Sequence, residues 1–126
     1  MKTLDENRGF LYLYYMEPWE KLLNHTNMDK EFLDLYINMR KSLQDFGVEE
    51  WQLEKGYRIP GTIYQIRAEA ISKKMDLIDT LQRYGLIRSE EDLKNLNDYF
   101  TAKLMKIDEE YPLQKGDKSD YMDDED

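Results

Sequence analysis

Residues 62–84, TIYQIRAEAISKKMDLIDTLQRY, run through GLIR (85–88) into SEEDLKNLNDYFTAKLMKIDEE (89–110), and the reading of this stretch decides the fold. In the first segment the apolar residues form two neighbouring rows: Ile63, Ile66, Ala70, Leu77, Leu81, Tyr84 and Tyr64, Ala68, Ile71, Met75, Ile78. Such steps place each row along one side of an α-helix. Two adjacent rows make a face too wide for a single neighbour, so more than one helix has to cover it. Pro60-Gly61 opens this helix and Gly85 closes it. The second segment carries one stripe, Leu93, Leu96, Phe100, Leu104, Ile107 and Tyr111. Ser89 with Asp92 resembles a capping box at its start, and Pro112 stops it. The connection 85–88 is short, so 62–84 and 89–110 are expected to form an antiparallel αα-hairpin. At 1.5 Å per residue each helix spans roughly 30 Å, which is too long for a compact helix-turn-helix DNA reader.

Working outward, residues 28–46 hold a third stripe: Met28, Phe32, Leu35, Met39, Leu43 and Phe46. Thr26 or Asn27 is placed to cap it, Asp29 and Glu31 favour its positive end, and Gly47 terminates it. Glu69 with Lys73 and Asp79 with Arg83 are acid-before-base pairs at i,i+4. Two stretches admit helix or strand: the aromatic run Phe10–Met16, leading towards Pro18 and Trp19, and residues 48–59, where Trp51, Leu53, Tyr57 and Ile59 alternate around Gly56. Helix is the expectation in both. The fold expected is all-α, a small helical bundle built on the hairpin and packed with the helix at 28–46. Residues 1–114 form a single helical domain and 115–126 an acidic disordered tail.

The charge is segmental. Residues 117–126, DKSDYMDDED, hold six acids and one lysine, net -5 of the chain's -9. Residues 57–88 carry six bases and three acids, net +3, between acidic flanks, so the middle helix is expected to neutralise its neighbours in the fold. There is no cysteine, which removes disulfides, thiolate zinc sites and Cys nucleophiles. The longest apolar run, Phe10–Met16, is too short to span a bilayer. A cytoplasmic location is expected, within a host cell if a phage encodes the chain; scarce alanine beside abundant tyrosine and lysine suggests an AT-rich coding genome.

Catalytic signals are sparse. His25 is the single histidine and no nucleophile motif surrounds any serine, so it is expected at a helix end. No glycine loop suited to phosphates is present. Glu17-x-x-Glu20 and Glu31-x-x-Asp34 form one constellation: carboxylates three apart share a helix face, and two pairs on adjacent helices would hold Mg²⁺ against a triphosphate. In these 18 residues the chain resembles all-α nucleotide pyrophosphohydrolases of the MazG kind, and the resemblance implies Mg²⁺-dependent hydrolysis through Glu17, Glu20, Glu31 and Asp34. Chance pairing on solvated helix faces explains the same residues in a chain with 27 acids.

The aromatic cluster Phe10, Tyr12, Tyr14, Tyr15 and Trp19 reads equally as core with rim or as a binding patch. Arg58, Arg67, Lys74 and Arg88 have no i,i+4 acid partner within the expected helices, but a net charge of -9 opposes direct nucleic-acid binding. The function expected is therefore non-enzymatic: a small acidic interaction factor without cofactor. Its sharper form is a phage or mobile-element inhibitor covering a basic, nucleic-acid-binding surface of a host protein, with carboxylates in place of phosphates. An immunity protein against a basic toxin fits the same features, and the wide stripe at 63–84 admits a homodimer. The partner-binding residues expected are Tyr12, Tyr14, Tyr15, Trp19, Glu49, Glu50 and Trp51.

Overall fold

A computed structural model of the protein describes residues 17–57 and 59–116. Most of these lie in five α-helices: α1 (Pro18–Thr26), α2 (Lys30–Asp45), α3 (Glu50–Lys55), α4 (Gly61–Arg83) and α5 (Glu90–Glu110). Among the described residues there is no strand, only an isolated parallel bridge between Glu49 and Gln114. The all-α expectation holds, and within 48–59 the helix Glu50–Lys55 forms. Phe10–Met16 and residues 117–126 of the acidic tail lie outside the described residues.

Local chemistry sets the helix ends. Ser89 Oγ accepts the Asp92 N–H at 3.1 Å, and the Asp92 carboxylate in turn accepts the N–H of Arg88 at 3.0 Å, one residue before the position a capping box uses. The caps expected for α2 belong instead to α1. The Thr26 hydroxyl donates back to the Leu22 carbonyl at 2.6 Å, and Asn27, at φ 58°, is the left-handed C-cap. Asp29 then precedes α2 without bonding its backbone, because its carboxylate accepts the Tyr99 hydroxyl at 2.6 Å. Gly47 (φ 69°) and Gly85 (φ 75°) take the left-handed conformation that ends α2 and α4.

Helix α2 lies between α4 and α5. It runs against α4: Glu31 meets Lys73 at 3.2 Å near one end, while Leu43 and Ile63 share a core cluster at the other. It runs along α5, since Asp29 pairs with Tyr99, Phe32 meets Phe100 edge-on at 5.3 Å, and Tyr36 pairs with Asp108. Helices α4 and α5 are therefore opposed in direction, yet each approaches α2 more closely than it approaches the other. Lys73 was expected to pair with Glu69; tertiary packing gives it Glu31 instead, while Arg83 does pair with Asp79. The α4–α2 ion pair is one instance of a basic middle helix meeting acidic neighbours.

Among the described residues one cation is buried. The Arg40 side chain is 6% exposed. Its Nε donates to the Tyr111 carbonyl at 3.0 Å and lies 3.3 Å from Asp108 Oδ1, while Nη2 donates to Glu50 Oε1 at 3.0 Å. The Tyr36 hydroxyl donates to the same Asp108 oxygen at 2.8 Å. Beyond α5 the chain folds back over α3: the Glu50 N–H donates to the Gln114 carbonyl at 2.8 Å, and Leu113 is buried. A Cβ on Gly116 would overlap the Trp51 indole and crowd Glu49.

Arg40→Met should destabilise the protein by about 2 kcal/mol in urea unfolding, the scale of hydrogen bonds to charged groups. Glu50 and Asp108 remain 43% and 38% exposed, so the loss falls short of the roughly 3–5 kcal/mol typical when a fully buried pair is broken. Burial, then the Asp108 hydrogen bond and charge, push the Tyr36 hydroxyl from 10.0 up to about 12. A raised folded-state pKa means the native protein holds this proton more tightly than the unfolded chain. That contribution is complete below pH 10.0 and is lost as the pH climbs towards about 12. The melting temperature of Tyr36→Phe should accordingly decline less steeply than wild type across this window; equal slopes would refute the assignment.

Candidate functional site

The residues singled out from the sequence take mainly structural positions. Tyr12, Tyr14 and Tyr15 lie outside the described residues. Trp19 and Trp51 are both buried, so neither offers its ring to a partner. Trp19 sits edge-on to Tyr99 at 5.5 Å, and Trp51 edge-on to Tyr57 at 6.0 Å with Gly116 against its indole. Large rings with a single N–H remove much apolar surface from water, and a core this small uses both. Glu49 and Glu50 fasten α3: the Glu49 N–H donates to Gln52 Oε1 at 2.9 Å, and Glu50 pairs with Arg40.

The four carboxylates of the Mg²⁺ constellation do not converge. Asp34 pairs with Lys30 at 3.2 Å on its own helix, and Glu31 turns to Lys73 on α4. Glu20 is buried; desolvation raises its carboxyl pKa, opposed by a backbone hydrogen bond at Glu17 and by the charge of Lys103. Among the described residues no three His, Cys, Asp or Glu side chains are grouped to hold a metal ion. His25 is exposed in the last turn of α1, at the helix end expected for it. Of the unpaired bases, Arg58 is outside the described residues and Arg88 Nε donates to the Gly85 carbonyl at 2.7 Å, closing the α4–α5 turn.

The remaining two bases mark a site. Between α4 and α5, above the face of α2 that both pack on, a groove of about 450 Å³ opens. Phe32, Tyr36 and Met39 of α2 form its floor; Arg67, Ala70, Ile71, Lys74, Met75 and Ile78 of α4 form one wall, and Asn97 and Leu104 of α5 the other. The two apolar rows of α4 part company here. Ile63, Ala70, Leu77 and Leu81 are buried, whereas Ile71 and Met75 remain 53% and 61% exposed and Tyr64 is exposed as well. Lys74 lies over the Phe32 and Phe100 rings at 5.8 and 5.4 Å, so its charge is held at the apolar base of the groove. Among the described residues no acid lines this groove. The row spacing was legible in the sequence; which row stays uncovered was not, since that depends on how far apart α4 and α5 stand.

A second cleft, of about 570 Å³, is lined by Arg40, Glu50, Asp108 and Lys115 among others, but Arg40 already engages both Glu50 and Asp108 there. Its chemistry is that of a structural junction. Comparison with protein-family models, with curated proteins and with solved structures finds no match to this chain.

Ile71→Glu should leave the urea midpoint within about 0.5 kcal/mol of wild type, as expected for an exposed site. Leu81→Ala, two to three turns along the same helix but in the core, should lose about 2–5 kcal/mol. A large loss from Ile71→Glu would mean that its row is covered after all.

Proposed function

We propose that this protein acts by binding another protein rather than by catalysis, and that the α4–α5 groove is the surface it uses. The composition of the groove supports this most: exposed Ile71 and Met75 beside an apolar floor, with Arg67 and Lys74 as the charged residues and no acid. Apolar surface left uncovered beside a concave channel marks interaction sites on soluble domains. An amphipathic helix, apolar on the face it lays down and acidic along its flank, complements such a channel. It would complete a four-helix arrangement with α2, α4 and α5.

A second reading is favoured by charge. Glu90 and Glu91 at the start of α5 and Glu109 and Glu110 at its end are exposed, and the chain as a whole carries -9. These suit a basic partner surface, such as that of a nucleic-acid-handling host protein or of a basic toxin, with carboxylates standing in for phosphates.

The two surfaces separate by differential capture from the native host, with the co-purifying protein identified by mass spectrometry. Full-length wild type and the Glu90→Lys/Glu91→Lys variant are expected to retain the same partner, and Ile71→Glu to lose it, each variant melting normally. Retention by Ile71→Glu would refute the groove. Loss on charge reversal, together with dissociation as salt rises, would move the interface to the acidic surface, because exposed charges are screened beyond about 8–10 Å at physiological ionic strength.

A further inference from the structure

The geometry points to a groove that selects its guest helix by two carboxylates two turns apart on one flank and admits it in one direction only, an inference that rests on the groove reading above. Arg67 and Lys74 both line the α4 wall. Seven residues separate them, so they lie on nearly the same side of the helix, about 10 Å apart along its axis at 1.5 Å per residue. Lys30, Lys73 and Arg83 pair with Asp34, Glu31 and Asp79, whereas Arg67 and Lys74 have no ion pair among the described residues. Lys74 is half-buried and held over the Phe32 and Phe100 rings, while Arg67 is exposed. With Lys74 held at the rings, each cation calls for its own carboxylate. A helix lying along α4 repeats a flank position every seven residues, which supplies that spacing.

The opposite wall differs. Asn97 and Leu104 of α5 are also seven residues apart, and neither is charged. The Tyr36 hydroxyl on the floor already donates to Asp108 at 2.8 Å. Charge is therefore read on the α4 side alone. Turning a guest helix end for end while its apolar face stays down exchanges its two flanks. A helix acidic on one flank can thus set its acids against Arg67 and Lys74 in a single direction; in the other they would face Asn97 and Leu104. Flanking charges set partner choice and orientation in paired helices for the same reason. From Arg67 to Ile78 the wall is about 16 Å long, so roughly three turns of the guest are read. A helix that short is marginal alone in water, so the guest segment belongs to a longer helix or orders on binding.

The test is selection on the full-length protein from a displayed library of helical peptides with a fixed apolar stripe and randomised flanks. Enriched peptides should carry Asp or Glu at i and i+7 on one flank. In a synthetic copy, changing either acid to its amide should weaken binding roughly 1.5–5-fold, the scale of exposed ion pairs. Arg67→Glu with Lys74→Glu should reject these peptides and enrich Lys or Arg at the same two positions. Arg83→Glu, a charge reversal on α4 outside the groove, should retain them, each variant melting normally. A nitroxide on one end of an enriched peptide should broaden amide signals near Arg67 or near Ile78, and never both. Acids on both flanks, retention by the Arg67→Glu/Lys74→Glu variant, or broadening at both ends would overturn the inference. Peptides that lack the paired acids yet are lost with Ile71→Glu would overturn the selection rule and leave the groove reading standing. If Ile71→Glu removes the binding of no enriched peptide, both fall.

Discussion

A guanidinium taken out of water must find acceptors for its donors and a countercharge for its charge, or the segment carrying it will not stay buried. Arg40 meets both needs from two separate parts of the chain: Glu50 at the start of α3, and the end of α5, where Asp108 lies in the last turn and the Tyr111 carbonyl just beyond it. Apolar packing is tolerant of small slides, but these contacts are not. Shifting α5 by one residue would turn Asp108 away by about 100° of helix, leaving Arg40 and the Tyr36 hydroxyl to compete for fewer acceptors. The register of α2 on α5, the placement of α3 and the return of residues 111–116 are therefore fixed together. Tyr99 and Asp29 repeat the device nearer the other end of α2, where burial and the Asp29 hydrogen bond raise the tyrosine pKa.

With α2 pinned in this way, α4 and α5 are organised by what each makes with α2. Helix α4 contributes Ile63, Ala70, Leu77 and Leu81, and α5 contributes Leu96, Phe100 and Ile107. Ala70, Leu77 and Leu81 of α4 share a core cluster with Phe32 of α2 and with Leu96 and Phe100 of α5, yet over the Phe32–Met39 face of α2 a space between α4 and α5 remains open. Lys74 is instructive here: its ammonium sits over two rings where a third wall of aliphatic side chains would otherwise be expected. A cation held over two rings at the base of an apolar channel resists being covered by aliphatic packing, which would strip its water. The groove is thus a by-product of the same packing hierarchy that stabilises the bundle.

Much of the fold was legible from periodicity. The stripes gave α2, α4 and α5 nearly to their ends, because burial on one face forces apolar residues into helical spacing. Ser89, Gly47 and Gly85 were readable because capping and left-handed turns demand particular residues. Asn27 was legible as a boundary but on the wrong helix, since nothing local distinguishes a C-cap from the N-cap of the next element. The site was harder. Trp19, Trp51, Glu49 and Glu50 looked like interface residues by type, yet the aromatics went to the core and Glu50 to a buried cation whose need is created only by tertiary structure. The carboxylate pairs weighed as the alternative Mg²⁺ site had helical spacing, but spacing cannot show that Glu31 faces Lys73. Ile71 and Met75 belong to a wide stripe in the sequence, and their exposure follows from the packing of α4 against its neighbours, which no single segment encodes.

The long reach of the Arg40 contacts also bears on how the protein is made. Tyr111 lies 71 residues after Arg40, and Asp108 lies 72 after Tyr36. On the ribosome, α2 and α4 can pair as soon as both have emerged, through local and mid-range apolar contacts. At roughly 5–20 residues per second, α5 follows only after a few seconds. Throughout that interval Phe32 lacks Phe100, and Arg40 has Glu50 within reach but neither Asp108 nor the Tyr111 carbonyl. Residues 108–111 are therefore the last of the Arg40 acceptors to leave the ribosome, and the full set of contacts around the arginine waits on their emergence.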